Sequence, residues 1–101
     1  MKADKLLEEL TNLASSLNYT VRREQGAFRG GACVVRERRL ILLNRSMPFE
    51  AAAVILARAL CTIVPEDTFM KPAVRDIIER ERGWVSSHPA VTFEPTSKEA
   101  A

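Results

Sequence analysis

Few side chains in this sequence have the chemistry for catalysis. There is one histidine, His88, and there are two cysteines, Cys33 and Cys61. A histidine acting as a general base needs a nucleophile within hydrogen-bond reach and a third group to orient it. No spacing places Cys33, Cys61 or a serine beside His88, which precedes Pro89 in a polar stretch near the carboxyl end. His88 therefore reads as a solvated tail residue. The cysteines sit in apolar surroundings, Cys33 before Val34-Val35 and Cys61 between Leu60 and Thr62. A disulfide is formally open to them, but a reduced, buried pair acting as small hydrophobes fits better.

Metal chemistry lacks a ligand set, because the chain has no CxxC or HxxxH pair and its acids are scattered. The adjacent acids Glu8-Glu9 and Glu66-Asp67 do not form a general acid/base pair, since neighbours on a helix point in different directions. Glu79 and Glu81 alternate with Arg80 and Arg82, the pattern of a solvated, salt-bridged helix face. Gly30-Gly31 could suggest a phosphate cradle, but such loops open a helix, and strand-like residues follow here. The reading is of a non-enzyme with no catalytic residue, no cofactor and no metal.

The positive signal is arginine. Between positions 22 and 45 stand Arg22, Arg23, Arg29, Arg36, Arg38, Arg39 and Arg45, against only Glu24 and Glu37. The whole chain carries a net charge of only +2, so the remainder is net acidic. Guanidinium groups suit planar anions and interfaces better than ammonium groups do. These seven are the candidate residues for binding a partner or an anion, with Phe28 as a stacking surface if exposed.

Elements must position these residues, and composition bounds what the elements can be. At 101 residues, 47% hydrophobic and 28% charged, the chain has room for one domain with its own core. No apolar run reaches the 18 residues of a membrane span, and acids interrupt the apolar pattern at the amino terminus. The expectation is a cytoplasmic protein with no membrane contact.

Leu6, Leu7, Leu10, Leu13, Ala14 and Leu17 fall on one helical face, with Asp4 as its cap and Asn18 as its left-handed end. Residues 19–24 alternate as a half-buried strand does. Residues 28–36 read as a second strand, in which paired glycines mark a bulge or a close backbone approach. Arg36-Glu37-Arg38-Arg39 makes a charged hairpin connection, and the apolar run Leu40-Ile41-Leu42-Leu43 forms a third, inner strand ending at Asn44. Short connections imply an antiparallel meander, with one face under helices and the other bearing the arginines.

The most hydrophobic segment, residues 48–64, is a helix with Pro48 in its first turn and only Glu50, Arg58 and Thr62 polar. It should be contacted on most sides. A last helix should run from 69 or 72 to Arg82, with Met70, Val74, Ile77 and Ile78 inward, Gly83 ending it and Trp84-Val85 folding back. The fold class is therefore α+β: an N-terminal helix, a three-stranded antiparallel meander, an apolar central helix, and a C-terminal helix packed on one face of the sheet. Residues 1–85 form the single domain, and residues 86–101 a flexible tail.

This order, with a strand ending in Asn44 and a helix containing Ile55-Leu56-Ala57-Arg58-Ala59-Leu60-Cys61-Thr62, resembles the minimal zincin metallopeptidase core. That family's helix resembles Thr-Leu-Ala-His-Glu-Leu-Gly-His, in which two histidines bind zinc and the glutamate activates water. The resemblance places Arg58 and Thr62 at the histidine positions and Ala59 at the glutamate. None of the three can perform zinc chemistry, so it implies a metal-free relative kept for binding.

Three readings of function follow. The first is a non-enzymatic protein-interaction module, open to self-association, because a small sheet offers a face and edges for docking. The second is nucleic-acid or polyanion binding through the arginine-rich hairpin. The third is the metal-free zincin relative.

Overall fold

The computed structural model describes residues 1–25, 31–90 and 93. Three helices and three strands follow in the order α1 (Ala3–Ser16), β1 (Thr20–Glu24), β2 (Ala32–Val35), β3 (Leu40–Asn44), α2 (Phe49–Cys61) and α3 (Pro72–Ser87). The α+β class stands. The antiparallel meander does not: the strand order is β1-β3-β2, with β1 parallel to β3 and only β2 antiparallel to it. The apolarity of β3 explains the arrangement, since the strand with no polar side chain before Asn44 takes the centre and is flanked on both edges.

Register assigns the two faces of the sheet. Val21, Ile41 and Val34 align across the three strands, as do Arg23, Leu43 and Ala32. Ile41, Leu43, Val34 and Ala32 are all buried, so this face meets α1 and α2. The opposite face carries Arg22, Leu42 and Cys33 in one row and Thr20, Leu40 and Val35 in the next. The expectation that the outer face bears the arginines is therefore corrected. Of the arginines within strands, only Arg22 lies there, between Thr20 and Glu24 on its own strand and opposite Leu42.

Helix α1 ends as its sequence implies. Asn18 adopts φ 65°, and the N–H groups of Asn18 and Tyr19 donate to Ser15 O and Ala14 O at 2.9 Å each, a paired closure that satisfies two terminal carbonyls. The start differs. Lys2 is the cap residue and Asp4 lies within the first turn, where a carboxylate complements the helix dipole without capping. Between β2 and β3 the chain makes one tight turn of 3-10 helix, Arg36–Arg38, and Arg39 closes it at φ 49°. Gly31, at φ +87°, is the expected close approach, because a Cβ there would stand 3.3 Å from both Ile55 Cγ2 and Met47 Sδ. Gly30 lies outside the described residues.

Helix α2 sits at the centre, in contact with α1, α3, β2 and β3. Ala52, Ala53, Leu56, Ala57, Ala59 and Leu60 are all buried. Helix α3 turns Val74, Ile77 and Ile78 inward as the spacing predicts, and Met70 just ahead of it is buried too. It packs mainly on α2 and on α1, so it is not laid on a face of the sheet as expected. It also runs to Ser87, with Gly83 inside it, instead of stopping at Arg82. Of the segment expected to be a tail, Ser86 and Ser87 are thus helical, and Phe93 is only 6% exposed, its carbonyl accepting the Val34 N–H at 2.8 Å.

Leu56, fully buried in α2, tests the central position of this helix. Leu56→Ala should lower stability by about 2–5 kcal/mol, transfer and cavity terms together. A thermal melt that does not move would remove α2 from the core.

Candidate functional site

The candidate arginines among the described residues do not converge. Arg29 lies outside the described residues, as does Phe28. The others divide between the two ends of the strands. At the end where β1 and β3 begin, Arg36, Arg38 and Arg39 belong to the turn and are exposed. Arg39 donates from Nη1 to Leu17 O at 3.3 Å, and its guanidinium lies 5.8 Å from the Tyr19 ring centroid. That side chain pins the α1–β1 corner to the hairpin.

At the other end, Arg23 and Arg45 hold each other's backbone. Arg23 Nη2 donates to Arg45 O at 3.1 Å and to Met47 O at 2.6 Å, while Arg45 Nη2 donates to Arg23 O at 3.4 Å. With Ser46 donating from both N and Oγ to Asn44 Oδ1, at 3.0 and 2.7 Å, this clamp shapes the entry to α2. Arg22 makes an ion pair with Glu24 at 2.7 Å on the outer face. Arg39 and Arg45 are six residues apart along an extended segment, roughly 20 Å. That exceeds the screening length of about 8 Å at physiological salt, so the two ends do not act on an anion as one cluster.

The more organised polar group joins α2 to α3, and it centres on Glu81. This carboxylate is 4% exposed, the one buried charged residue among those described. Arg58 Nε donates to Glu81 Oε1 at 2.7 Å and Arg80 Nε to Oε2 at 2.9 Å, so both oxygens are satisfied by cations. Burial pushes the Glu81 carboxyl upward, but the hydrogen bonds and charges of Arg58 and Arg80 outweigh it and hold the group below its ordinary range. The Arg58 guanidinium also lies 3.6 Å from the Trp84 ring centroid. His88 stacks on the same ring at 4.0 Å with 9° between planes. Two groups that close to one centroid must occupy opposite faces, so Trp84 is sandwiched between a guanidinium and an imidazole.

Sequence reasoning missed this assembly. The charge alternation around Glu81 reads as a solvated face and the position of His88 as a tail, whereas Glu81 is buried and His88, though exposed, closes the end of α3. The available signal was Arg58, the lone cation on an apolar helix, which required a buried carboxylate from another element.

The arrangement can hold two helices together, and its geometry does not activate a nucleophile. His88 Nδ1 lies 2.8 Å from Trp84 O, and a carbonyl can only accept, so Nδ1 carries the proton. Ser87 Oγ is 3.2 Å from that nitrogen, a neighbour that spacing alone did not supply. Its own proton is directed to Trp84 O at 3.0 Å and Gly83 O at 3.2 Å. With Nδ1 protonated, Ser87 Oγ can only accept from it, so the imidazole does not draw the serine proton. Cys61 donates from Sγ to Arg58 O at 3.1 Å, and its partial burial raises its thiol; of the two cysteines expected to be buried, only Cys33 is. Thr62 Oγ1 donates to Ala59 O at 2.7 Å. The positions matched to the zincin helix are therefore engaged in an ion pair and a local back-bond. Among the described residues no group of three His, Cys, Asp or Glu is placed to hold a metal ion.

A second surface lies where α1 meets the chain leading into α3. Glu9 takes Lys71 at 3.1 Å and Lys5 at 3.6 Å, and the Lys71 hydrogen bond is the main cause of its lowered carboxyl pKa. Glu9 and Lys71 themselves line a groove of about 210 Å³ together with Asn12, Leu13, Ser16, Met70, Val74 and Phe69, the last 88% exposed.

Removing the buried charge gives a signed prediction. Glu81→Gln should cost about 1.5–3 kcal/mol at neutral pH, the range for a charge-assisted hydrogen bond in a partly buried site. Because folding lowers the carboxyl pKa, the stabilisation is present above the unfolded-state value and lost as pH falls through the folded-state value. The gap between wild type and Glu81→Gln in denaturant melts should therefore close in acid. A gap independent of pH would show that the ion pair contributes nothing.

Comparison with protein-family models, with curated proteins and with solved structures finds no match to this chain. What it does has to be argued from its own residues.

Proposed function

We propose that this chain is a non-enzymatic protein-interaction module that self-associates through the surface where α1 meets the start of α3. The observation that supports this reading is Phe69. A phenyl ring 88% exposed at the wall of a groove whose other lining residues are Glu9, Asn12, Leu13, Ser16, Met70, Lys71 and Val74 is an apolar projection on a concavity of mixed polarity. A two-fold axis through such a patch sets each ring against the other copy's groove, the self-complementarity that a symmetric dimer requires. Phenylalanine is among the side chains enriched at interface cores, and burying one is worth about 1.5–3 kcal/mol. Two rings and two grooves fall at the low end of interface area, so the association is weak and concentration-dependent.

Polyanion binding through the arginines ranks second. Its supporting observation is the exposed set Arg36, Arg38 and Arg39, but Arg22, Arg23, Arg39 and Arg45 each already bind a carboxylate or a backbone carbonyl. Kinship with the zincin core rests on element order and assigns no chemistry to Arg58, Ala59 or Thr62.

Sedimentation velocity over a wide concentration range tests the proposal. The wild-type chain should shift toward dimer as concentration rises. Phe69→Ser should stay monomeric with an unchanged melting temperature, since the ring makes little contact within its own fold. A wild-type chain that remains strictly monomeric and captures no partner overturns it.

A further inference from the structure

The edge of the sheet at β2 suggests a second contact, of a different kind. Strand order β1-β3-β2 places β2 at an edge of the sheet formed by the described residues. Backbone groups alternate along a strand, so the N–H and C=O groups of Ala32 and Val34 face that edge while those of Cys33 and Val35 face β3. Val34 N–H is taken there by Phe93 O at 2.8 Å. Phe93 is six residues beyond the last residue of α3, yet it is 6% exposed and belongs to the same core cluster as Val34, Leu56 and Leu60. The edge therefore already holds a backbone acceptor and a buried aromatic side chain supplied by residues far away in the chain.

These features define a ligand. We infer that the β2 edge is a docking site for an extended peptide segment carrying an aromatic residue, and that the chain's own Phe93 occupies it in cis. The inference rests on the reading of this chain as a protein-interaction module and adds a partner chemistry: main-chain pairing to Val34, with one large apolar side chain entering the core. Strand addition at a sheet edge gains affinity from backbone hydrogen bonds and selectivity from the pocket that receives alternate side chains. A tethered occupant acts at an effective concentration of about millimolar, so a free segment enters only weakly until the cis segment is displaced. The site is thus self-blocked.

The test uses the full chain, as wild type and as Phe93→Ala, with a synthetic peptide of residues 89–97 (Pro-Ala-Val-Thr-Phe-Glu-Pro-Thr-Ser) and its counterpart with alanine for phenylalanine. Fluorescence anisotropy of the labelled peptides and thermal melts are the readouts. The phenylalanine peptide should bind Phe93→Ala at least about tenfold more tightly than wild type, because the cis competitor is gone. The alanine peptide should bind neither chain. Should Phe93→Ala be partly unfolded alone, the phenylalanine peptide should raise its melting temperature and the alanine peptide should not. Absence of both binding and rescue overturns the inference, as does equal binding of the two peptides. Such a failure leaves self-association through Phe69 untouched, because sedimentation of the Phe69→Ser chain reports on that surface separately.

Discussion

Every element of this domain depends on how closely α2 can be approached. Helices usually bury one stripe; α2 buries Ala52, Ala53, Leu56, Ala57, Ala59 and Leu60 on a face about 160° wide, and Ala51, Val54, Ile55, Arg58 and Cys61 on its other side are half-buried, so no side is fully open to water. Four of these six are alanines. A methyl side chain loses no rotamer entropy on burial and lets a neighbouring backbone come near, so α1, α3 and the sheet can each pack at short range. The same constraint acts at the sheet, where the absent Cβ of Gly31 admits Ile55 and Met47 at a distance that any side chain would contest. Leu56 and Leu60 then fill what the alanines leave.

Close packing by small apolar side chains does not by itself fix how α3 is rotated against α2. Glu81 does. A buried carboxylate is costly unless cations meet both of its oxygens, and only one rotation of α3 brings Oε1 to Arg58 while Arg80 covers Oε2. Trp84, one turn further along α3, then covers the Arg58 guanidinium and reduces the water that would otherwise compete for it. This explains why α3 continues through Gly83. A glycine inside a helix costs about 1 kcal/mol relative to alanine, and nothing near Gly83 requires its small size. The helix persists because ending it at Arg82 would remove Trp84 from Arg58 and His88 from Trp84.

Periodicity made the local elements legible. The leucines of α1, the left-handed Asn18, the apolar run of β3 and the inward residues of α3 each follow from repeats within about 12 residues, and they are where expected. What the sequence did not reveal depends on pairings between distant positions. The neighbour of β3 on its second edge is β1, a parallel partner 20 residues earlier whose identity no hairpin signal carries. Arg58 meets Glu81 across 23 residues, and alternating charges around Glu81 give the same local pattern whether the carboxylate faces water or a second helix. The arginines misled for a related reason. Their number between positions 22 and 45 reads as one patch, but strand geometry sends them to opposite ends and several to carbonyls nearby.

That placement bears on how a three-stranded sheet stays closed to its surroundings. An open strand edge is a template for any extended chain, and a short sheet has two edges with only one inner strand. On β1 the guard is electrostatic. Arg22 and Arg23 lie on the strand itself, and Arg45 reaches to the carbonyl of Arg23, so an incoming strand would have to desolvate guanidinium groups and break a hydrogen bond. On β2 the strand is Ala-Cys-Val-Val, without a single charge, and what meets its edge is Phe93. A charged edge repels every strand alike, whereas an edge met by an aromatic segment can be given up to a better one. Among the described residues the two edges of the same sheet are thus unequal, one bordered by the side chains of Arg22, Arg23 and Arg45 and the other met by Phe93.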